Sequence, residues 1–183
     1  MIFSKLIPHK INFNRSISNH QVLLKKSILE KNILVIGGAG TIGFSYIKQV
    51  LKYKPSKITV VDINENGLTE LTRDLRSSNL LDYNPEYITY PVNLLSDTFD
   101  KIFNSESWQV VANFSAHKHV RSEKDKISVE ALIKNNVFGA IKLLNLCEGN
   151  PPNYFFSVST DKAASPVNIM GASKSLMEKL ILS

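Results

Sequence analysis

From residue 32 onward the chain alternates between two rhythms. Short apolar runs at 32–36, 57–61, 87–92, 108–114 and 154–159 read as strands, and the segments between them carry apolar residues at helical spacing. Leu68, Leu71 and Leu75 within 65–77 are the clearest helical stripe. The helix after the first strand breaks at 53–56, which contains Pro55. A short helix is expected over 96–103, a long one over 129–148 and a last one from 168 to the end. Gly149, Pro151 and Pro152 stop the long helix. Apolar strands alternating with helices predict an α/β fold whose parallel sheet is covered on both faces.

The turn after the first strand narrows this further. The stretch 32–43 reads NILVIGGAGTIG, so glycines at 37, 38, 40 and 43 stand between a strand and a helix. Gly38, Gly40 and Gly43 match G-x-G-x-x-G in that context. On this reading Gly38 permits the sharp turn, Gly40 lets a pyrophosphate approach the backbone, and Gly43 lets the helix pack close to the strand. Thr41 and Ile42 open a helix whose free N–H groups favour phosphate. The second strand ends in Asp62, roughly 20 residues after the last glycine, where a carboxylate can hold adenosine ribose hydroxyls. A carboxylate there repels a 2′-phosphate, which favours NAD and leaves NADP the second choice. The plain alternative is that Asp62 caps the next helix. The fold class is therefore a Rossmann-type doubly wound parallel sheet of about five strands, in order 3-2-1-4-5.

Ligands in such sheets bind beyond the carboxyl ends of the strands. Asn93, Phe114 to His119 and Ser159 to Lys162 all follow strands. His117 and His119 flank Lys118, but no cysteine or carboxylate stands at ligand spacing, so no metal is expected. Arg121, Glu123, Lys124 and Asp125 read as a solvated charged turn.

Composition changes the picture little. The 183 residues fit one domain of ordinary size. Lone Cys147 in a helical apolar pattern reads as buried filler. No apolar run approaches the roughly 20 residues that span a bilayer, and a reducing cytoplasm is the simplest setting. The net charge of +6 is concentrated at the start. Lys5, Lys10, Arg15, Lys25, Lys26 and Lys31 face only Glu30, which leaves 16 basic against 15 acidic residues in the rest. That balance, without an aromatic–basic stripe, argues against nucleic acid. Residues 1–31 form a basic N-terminal arm or helix that packs on the domain or a partner, a solvated tail, or a transit peptide. Leu23, Leu24, Ile28 and Leu29 could form its apolar stripe, and Pro8 interrupts any longer helix.

After the fifth strand the chain reads SVSTDKAASPVNIMGASK. With GGAGTIG, VVDINENGLTEL, FSAHKHVRSEKD and KNNVFGAIKLL, it makes residues 32–183 resemble the extended short-chain dehydrogenase/reductase superfamily. Within it the chain is most similar to the nucleotide-sugar 4,6-dehydratases and epimerases of polysaccharide biosynthesis. The resemblance implies NAD or NADP as cofactor, a UDP-type amino sugar as substrate, and loss of water across C5–C6 after internal hydride transfer. It puts Gly37, Gly38, Gly40, Thr41, Ile42, Gly43, Asp62, Asn93, Phe114, Ser115 and Lys174 at the cofactor. Lys118 and His119 would reach the sugar diphosphate. Thr160, Asp161, Lys162 and Lys174 would be catalytic, with an acid at Asp161 protonating the departing hydroxyl and a base at Lys162 removing the C5 proton. Asn136 matches an asparagine that supports the active site through water, with a buried capping role as the alternative.

One position departs from the superfamily. Lys174 stands at the lysine of Y-x-x-x-K, but the tyrosine position is Met170, whose thioether cannot act as a base. For Asp161 to donate a proton its pKa must rise, and Lys162 beside it pushes the other way. The resemblance also implies a substrate half beyond Ser183, so residues 32–183 read as a truncated cofactor-binding domain. Apolar edges left uncovered predict a homo-oligomer. Three functions follow: the cofactor portion of a dehydratase, a catalytically silent NAD-binding or interaction module, or a reductase or epimerase without dehydration.

Overall fold

The computed structural model describes residues 17–117, 123 and 125–183. Its five parallel strands are β1 (Asn32–Ile36), β2 (Lys57–Asp62), β3 (Glu86–Pro91), β4 (Val110–Asn113) and β5 (Tyr154–Ser157). They pair in the order β3-β2-β1-β4-β5, as expected. The helices are α1 (Gln21–Ile28), α2 (Thr41–Leu51), α3 (Glu65–Ser77), α4 (Asp97–Asn104), α5 (Lys126–Ile133), α6 (Gly139–Gly149) and α7 (Ile169–Leu182). A π turn, Lys134–Phe138, joins α5 to α6, and a 3₁₀ turn, Asp161–Ala163, follows β5.

Alternate residues of β1 serve two cores. Ile33 and Val35 pack with Ile47, Val50, Leu71 and Leu75 of α2 and α3, joined by Ile28 of α1. Leu34 and Ile36 pack with Phe99, Phe103 and Leu143 of α4 and α6. Burial on both faces is why Ile33–Ile36 of β1 are apolar without alternation and why β2 is buried from Lys57 to Val61, Thr59 included. The register aligns Ile36 with Val61 and with Asn113, and Asn113 with Ser157, so four strands end level. That shared rim carries the loops of interest.

Helix starts follow local chemistry. Asn64, Ser96, Asp125 and Asn168 cap α3, α4, α5 and α7, each accepting a backbone N–H two or three residues into the helix. Asn64, not Asp62, caps α3: its side chain accepts the Gly67 N–H at 2.9 Å. Replacing Asn64 with Ala should lower stability by about 1 kcal/mol, read as a shift in urea midpoint at unchanged slope.

Three boundaries differ from the sequence reading by two residues or more, while both ends of β3, the end of β4 and both ends of α4 shift by one. The long helix begins at Lys126 rather than 129, because Asp125, exposed as expected, caps it. Strand β4 begins at Val110 rather than 108. Trp108 is tucked against α4, donating its indole N–H to the Phe103 carbonyl at 2.8 Å. Strand β5 ends at Ser157 rather than 159, although the Val158 N–H still reaches the Asn113 carbonyl. Of the N-terminal stripe, Ile28 is buried while Leu23 is 58% exposed, so one edge of α1 holds the domain. At the opposite end of the sheet, Lys57 is buried and paired with Glu86 at 2.8 Å and with Glu106. These carboxylates outweigh burial and hold the Lys57 pKa above its ordinary value.

Candidate cofactor cleft and strand-end site

The turn after β1 is made by Gly37, not Gly38. Gly37 has φ +75°, the left-handed region, and a Cβ there would lie 2.5 Å from the Ser115 nitrogen. Its N–H donates to the Val61 carbonyl at 2.8 Å, which pins the turn to β2. Gly38 is needed for a different reason: a Cβ would strike Val60 at 2.3 Å. Gly43 brings α2 against the loop, since a Cβ would meet the Gly37 oxygen at 2.5 Å. Gly40 alone of the four faces open space, with only the Gly37 oxygen near, at 3.4 Å. The three glycines with backbone duties are thus spaced G-x-x-G-x-x-G, at 37, 40 and 43, and Gly38 serves packing.

A cleft of about 460 Å³ opens over this loop. Gly37, Gly40, Asp62, Asn93, Phe114 and Ser115 line it, so six of the residues read from the sequence as cofactor contacts come together. Asp62 accepts the Ala39 N–H at 3.0 Å through one oxygen and the Asn64 N–H at 2.9 Å through the other. It braces the glycine loop, and each oxygen keeps a lone pair for a hydroxyl donor. The amide oxygen of Asn93 accepts the Leu95 N–H at 2.8 Å, with capacity for one more donor.

The wall beneath β4 rests on Asn113, which the sequence reading did not single out. Asn113, buried at the strand end, accepts both the Ser115 N–H and hydroxyl and donates to the Ser157 hydroxyl. The signal was a polar residue closing an apolar strand. Phe114 lines the cleft with its ring 5.1 Å from Tyr46 and 5.8 Å from Phe156. Burial in this aromatic group pushes the Tyr46 hydroxyl up to about 12. On the far side, Asn136 of the π turn accepts the His117 N–H and donates to the His117 carbonyl and the Ser173 hydroxyl. It therefore ties the β4 loop directly to α7 in a buried positioning role. Lys118, His119, Arg121 and Lys124 lie outside the described residues.

Beyond β5 the four residues read as catalytic separate into two environments. Thr160 donates its hydroxyl to Asp161 at 2.9 Å, and Lys162 stands 3.5 Å from the same carboxylate oxygen. The Asp161 side chain is 87% exposed. The Thr160 hydroxyl, with Lys162, holds its pKa below the ordinary carboxylate value, opposite to what proton donation at neutral pH requires. Lys174 is buried, donates to the Val158 carbonyl at 3.0 Å, and has its pKa pushed down to about 8 by burial. Met170 is buried at the start of α7, and its N–H donates to Glu123 at 2.7 Å. Glu123 thus bridges to α7 instead of forming part of a solvated turn. Cys147 is half-buried and its thiol is pushed up to about 11.

The sheet order and glycine loop define a Rossmann-type α/β domain. The chain belongs to the family described as polysaccharide biosynthesis protein, which matches residues 33–183. It is 36% identical over 157 residues to an uncharacterised membrane protein of Methanocaldococcus jannaschii, covering 84% of this chain and 43% of that protein. It is 32% identical over 157 residues to an inverting UDP-N-acetylglucosamine 4,6-dehydratase of Campylobacter jejuni, with the same two coverages. Among solved structures, Pen from Bacillus thuringiensis superposes with a TM-score of 0.73 at 27% identity, over 84% of this chain and 46% of that one. The chain spans less than half the length of these relatives. Among the described residues, no helix is long and apolar enough to cross a membrane.

Proposed function

We propose that residues 32–183 form the cofactor-binding portion of a nucleotide-sugar 4,6-dehydratase or epimerase, with NAD in the cleft over the glycine loop and residues 1–31 as an accessory arm. The observation that carries this reading is the pairing of an open Gly40 with Asp62 at one rim of the same cleft. Gly40 leaves room for a pyrophosphate, and the spare lone pairs of Asp62 suit ribose hydroxyls. When bound, the nicotinamide would accept and return a hydride. Phe114 and Ser115 would support its side of the cleft. Lys174, which donates to the Val158 carbonyl, would hold the nicotinamide ribose.

On this reading, sugar dehydration falls to Thr160, Asp161 and Lys162. Once a substrate covers the strand end, loss of water would favour the neutral forms of both the acid and the base. Asp161 would then protonate the leaving hydroxyl and Lys162 would take the C5 proton. The UDP-type amino sugar follows from the Campylobacter relative's substrate.

A second reading, a silent NAD-binding module, is favoured by two observations. Asp161 is exposed with a lowered pKa, and Met170 occupies the usual tyrosine position. Titration calorimetry with NAD, NADP and a UDP-amino sugar tests both. The expected result is NAD binding, with NADP about tenfold weaker or worse, a difference of about 1.4 kcal/mol. NAD binding in calorimetry with no water loss from the sugar nucleotide in a companion turnover assay selects the silent module, and no binding of any of the three rejects both.

A further inference from the structure

The phosphates of a dinucleotide bring negative charge into a cleft that already holds Asp62. The glycine loop has no lysine or arginine of its own. Among the described residues lining the cleft, Lys134 is the one lysine or arginine. It opens the π turn that also carries Asn136, whose three hydrogen bonds fix that turn against the β4 loop and α7. A π turn inserts an extra residue into a helix and re-aims its neighbours, and such turns gather at functional sites. Here Lys134 and Asn135 face the cleft while Asn136 and Val137 are buried.

The Lys134 ammonium is 2.6 Å from Glu130, one turn earlier in the same helix. Both side chains are well exposed, 60% and 64%, so the pair is weakly held and readily exchanged. A lysine is a point charge on a flexible stem, suited to switching between two anions.

We propose that Lys134 is the residue that answers the charge of the dinucleotide's phosphates, leaving Glu130 when the cofactor enters. Glu130 then acts as a competitor that occupies the lysine in the empty cleft. This inference rests on the cofactor reading above and adds a contact outside the glycine loop.

The test is titration of the full chain with NAD, ADP-ribose and adenosine at low and high salt, for the native protein, Lys134→Met, Lys134→Arg and Glu130→Gln. Lys134→Met should weaken NAD and ADP-ribose by about three- to tenfold at low salt and leave adenosine unchanged. The difference should shrink at 1 M salt, where the Debye length falls to about 3 Å. Lys134→Arg should restore most of the affinity. Glu130→Gln should tighten NAD by about twofold, because it frees the lysine. NAD affinity unchanged in Lys134→Met, or adenosine weakened equally, overturns the assignment while leaving the cofactor reading intact. Failure of the native protein to bind NAD rejects the cofactor reading itself. The exposed position predicts unaltered melting for all three variants, so a binding change would not reflect misfolding.

Discussion

Replacing Gly37 with Ala is expected to destabilise the protein by on the order of 3 kcal/mol and to abolish NAD binding, whereas Gly40→Ala should abolish binding alone. The contrast comes from what each Cβ would meet. At Gly37 the added carbon lies 2.5 Å from the Ser115 nitrogen and 2.7 Å from the Phe114 carbonyl carbon, both backbone. Neither can rotate aside, so the β4 loop must move, and overpacking of this kind costs about 1–3 kcal/mol. The left-handed φ of +75° adds about 1–2 kcal/mol for any residue with a Cβ. Moving that loop also displaces Phe114 and Ser115 from the cleft wall. At Gly40 the new carbon meets only the Gly37 oxygen, at 3.4 Å, and the backbone is extended, so stability should fall by about 1 kcal/mol or less. What it fills is the space left for phosphate. Urea unfolding and NAD titration of the two variants separate these effects. Gly37→Ala melting like the native chain would contradict the close approach of the two loops. Gly40→Ala retaining native NAD affinity would contradict phosphate at that glycine.

The difference between these two glycines marks the limit of what the sequence could say. Strand order and the position of the cleft were legible because periodicity and right-handed crossovers leave few alternatives. β1 and α3 were read to the residue. The glycine spacing allowed two registers, because four glycines among seven residues match G-x-G-x-x-G and G-x-x-G-x-x-G equally well. Only the backbone angle at Gly37 separates them. Asp62 was read as a ribose ligand or a helix cap, yet its bond to Ala39 N–H spans 23 residues and depends on how tightly the loop folds back. The π turn left no periodic signal, since one extra residue does not disturb apolar spacing enough to notice. It sets the orientation of both Lys134 and Asn136. The lowered Asp161 pKa, by contrast, was foreseeable from its neighbour Lys162, although the Thr160 hydroxyl proves the larger cause.

Replacing Lys174 with Met should make the protein more stable at pH 7, by on the order of 1–3 kcal/mol, and remove a rise in stability above pH 8. Burial holds the folded-state pKa of Lys174 at about 8 against an ordinary 10.5, with Glu178 opposing the shift. Below pH 8 both folded and unfolded chains carry the proton, and the fold bears the full desolvation penalty of an ammonium. Between pH 8 and 10.5 the folded chain has released the proton and the unfolded chain has kept it. Unfolding then takes up a proton, so stability rises with pH. Acids with raised pKa act in reverse. Cys147, pushed from 9 to about 11, weakens the fold across that interval, and Tyr46 and Tyr83, pushed from 10 to about 12, do so above pH 10. The native protein should therefore show its rise most clearly between pH 8 and 9. These opposing groups are common to both proteins, so the difference between native and Lys174→Met profiles isolates the lysine. Methionine gives up the bond to the Val158 carbonyl, which costs about 1 kcal/mol and sets the lower end of the expected gain. Urea midpoints at half-unit steps from pH 7 to 10.5 provide the measurement. A difference profile that is flat over that range, with Lys174→Met the less stable protein at pH 7, would mean that the ammonium is well solvated in the fold. A stabilised variant that no longer binds NAD would identify Lys174 as a buried charge that the fold keeps at a cost to stability, as expected of a group retained for binding rather than for packing.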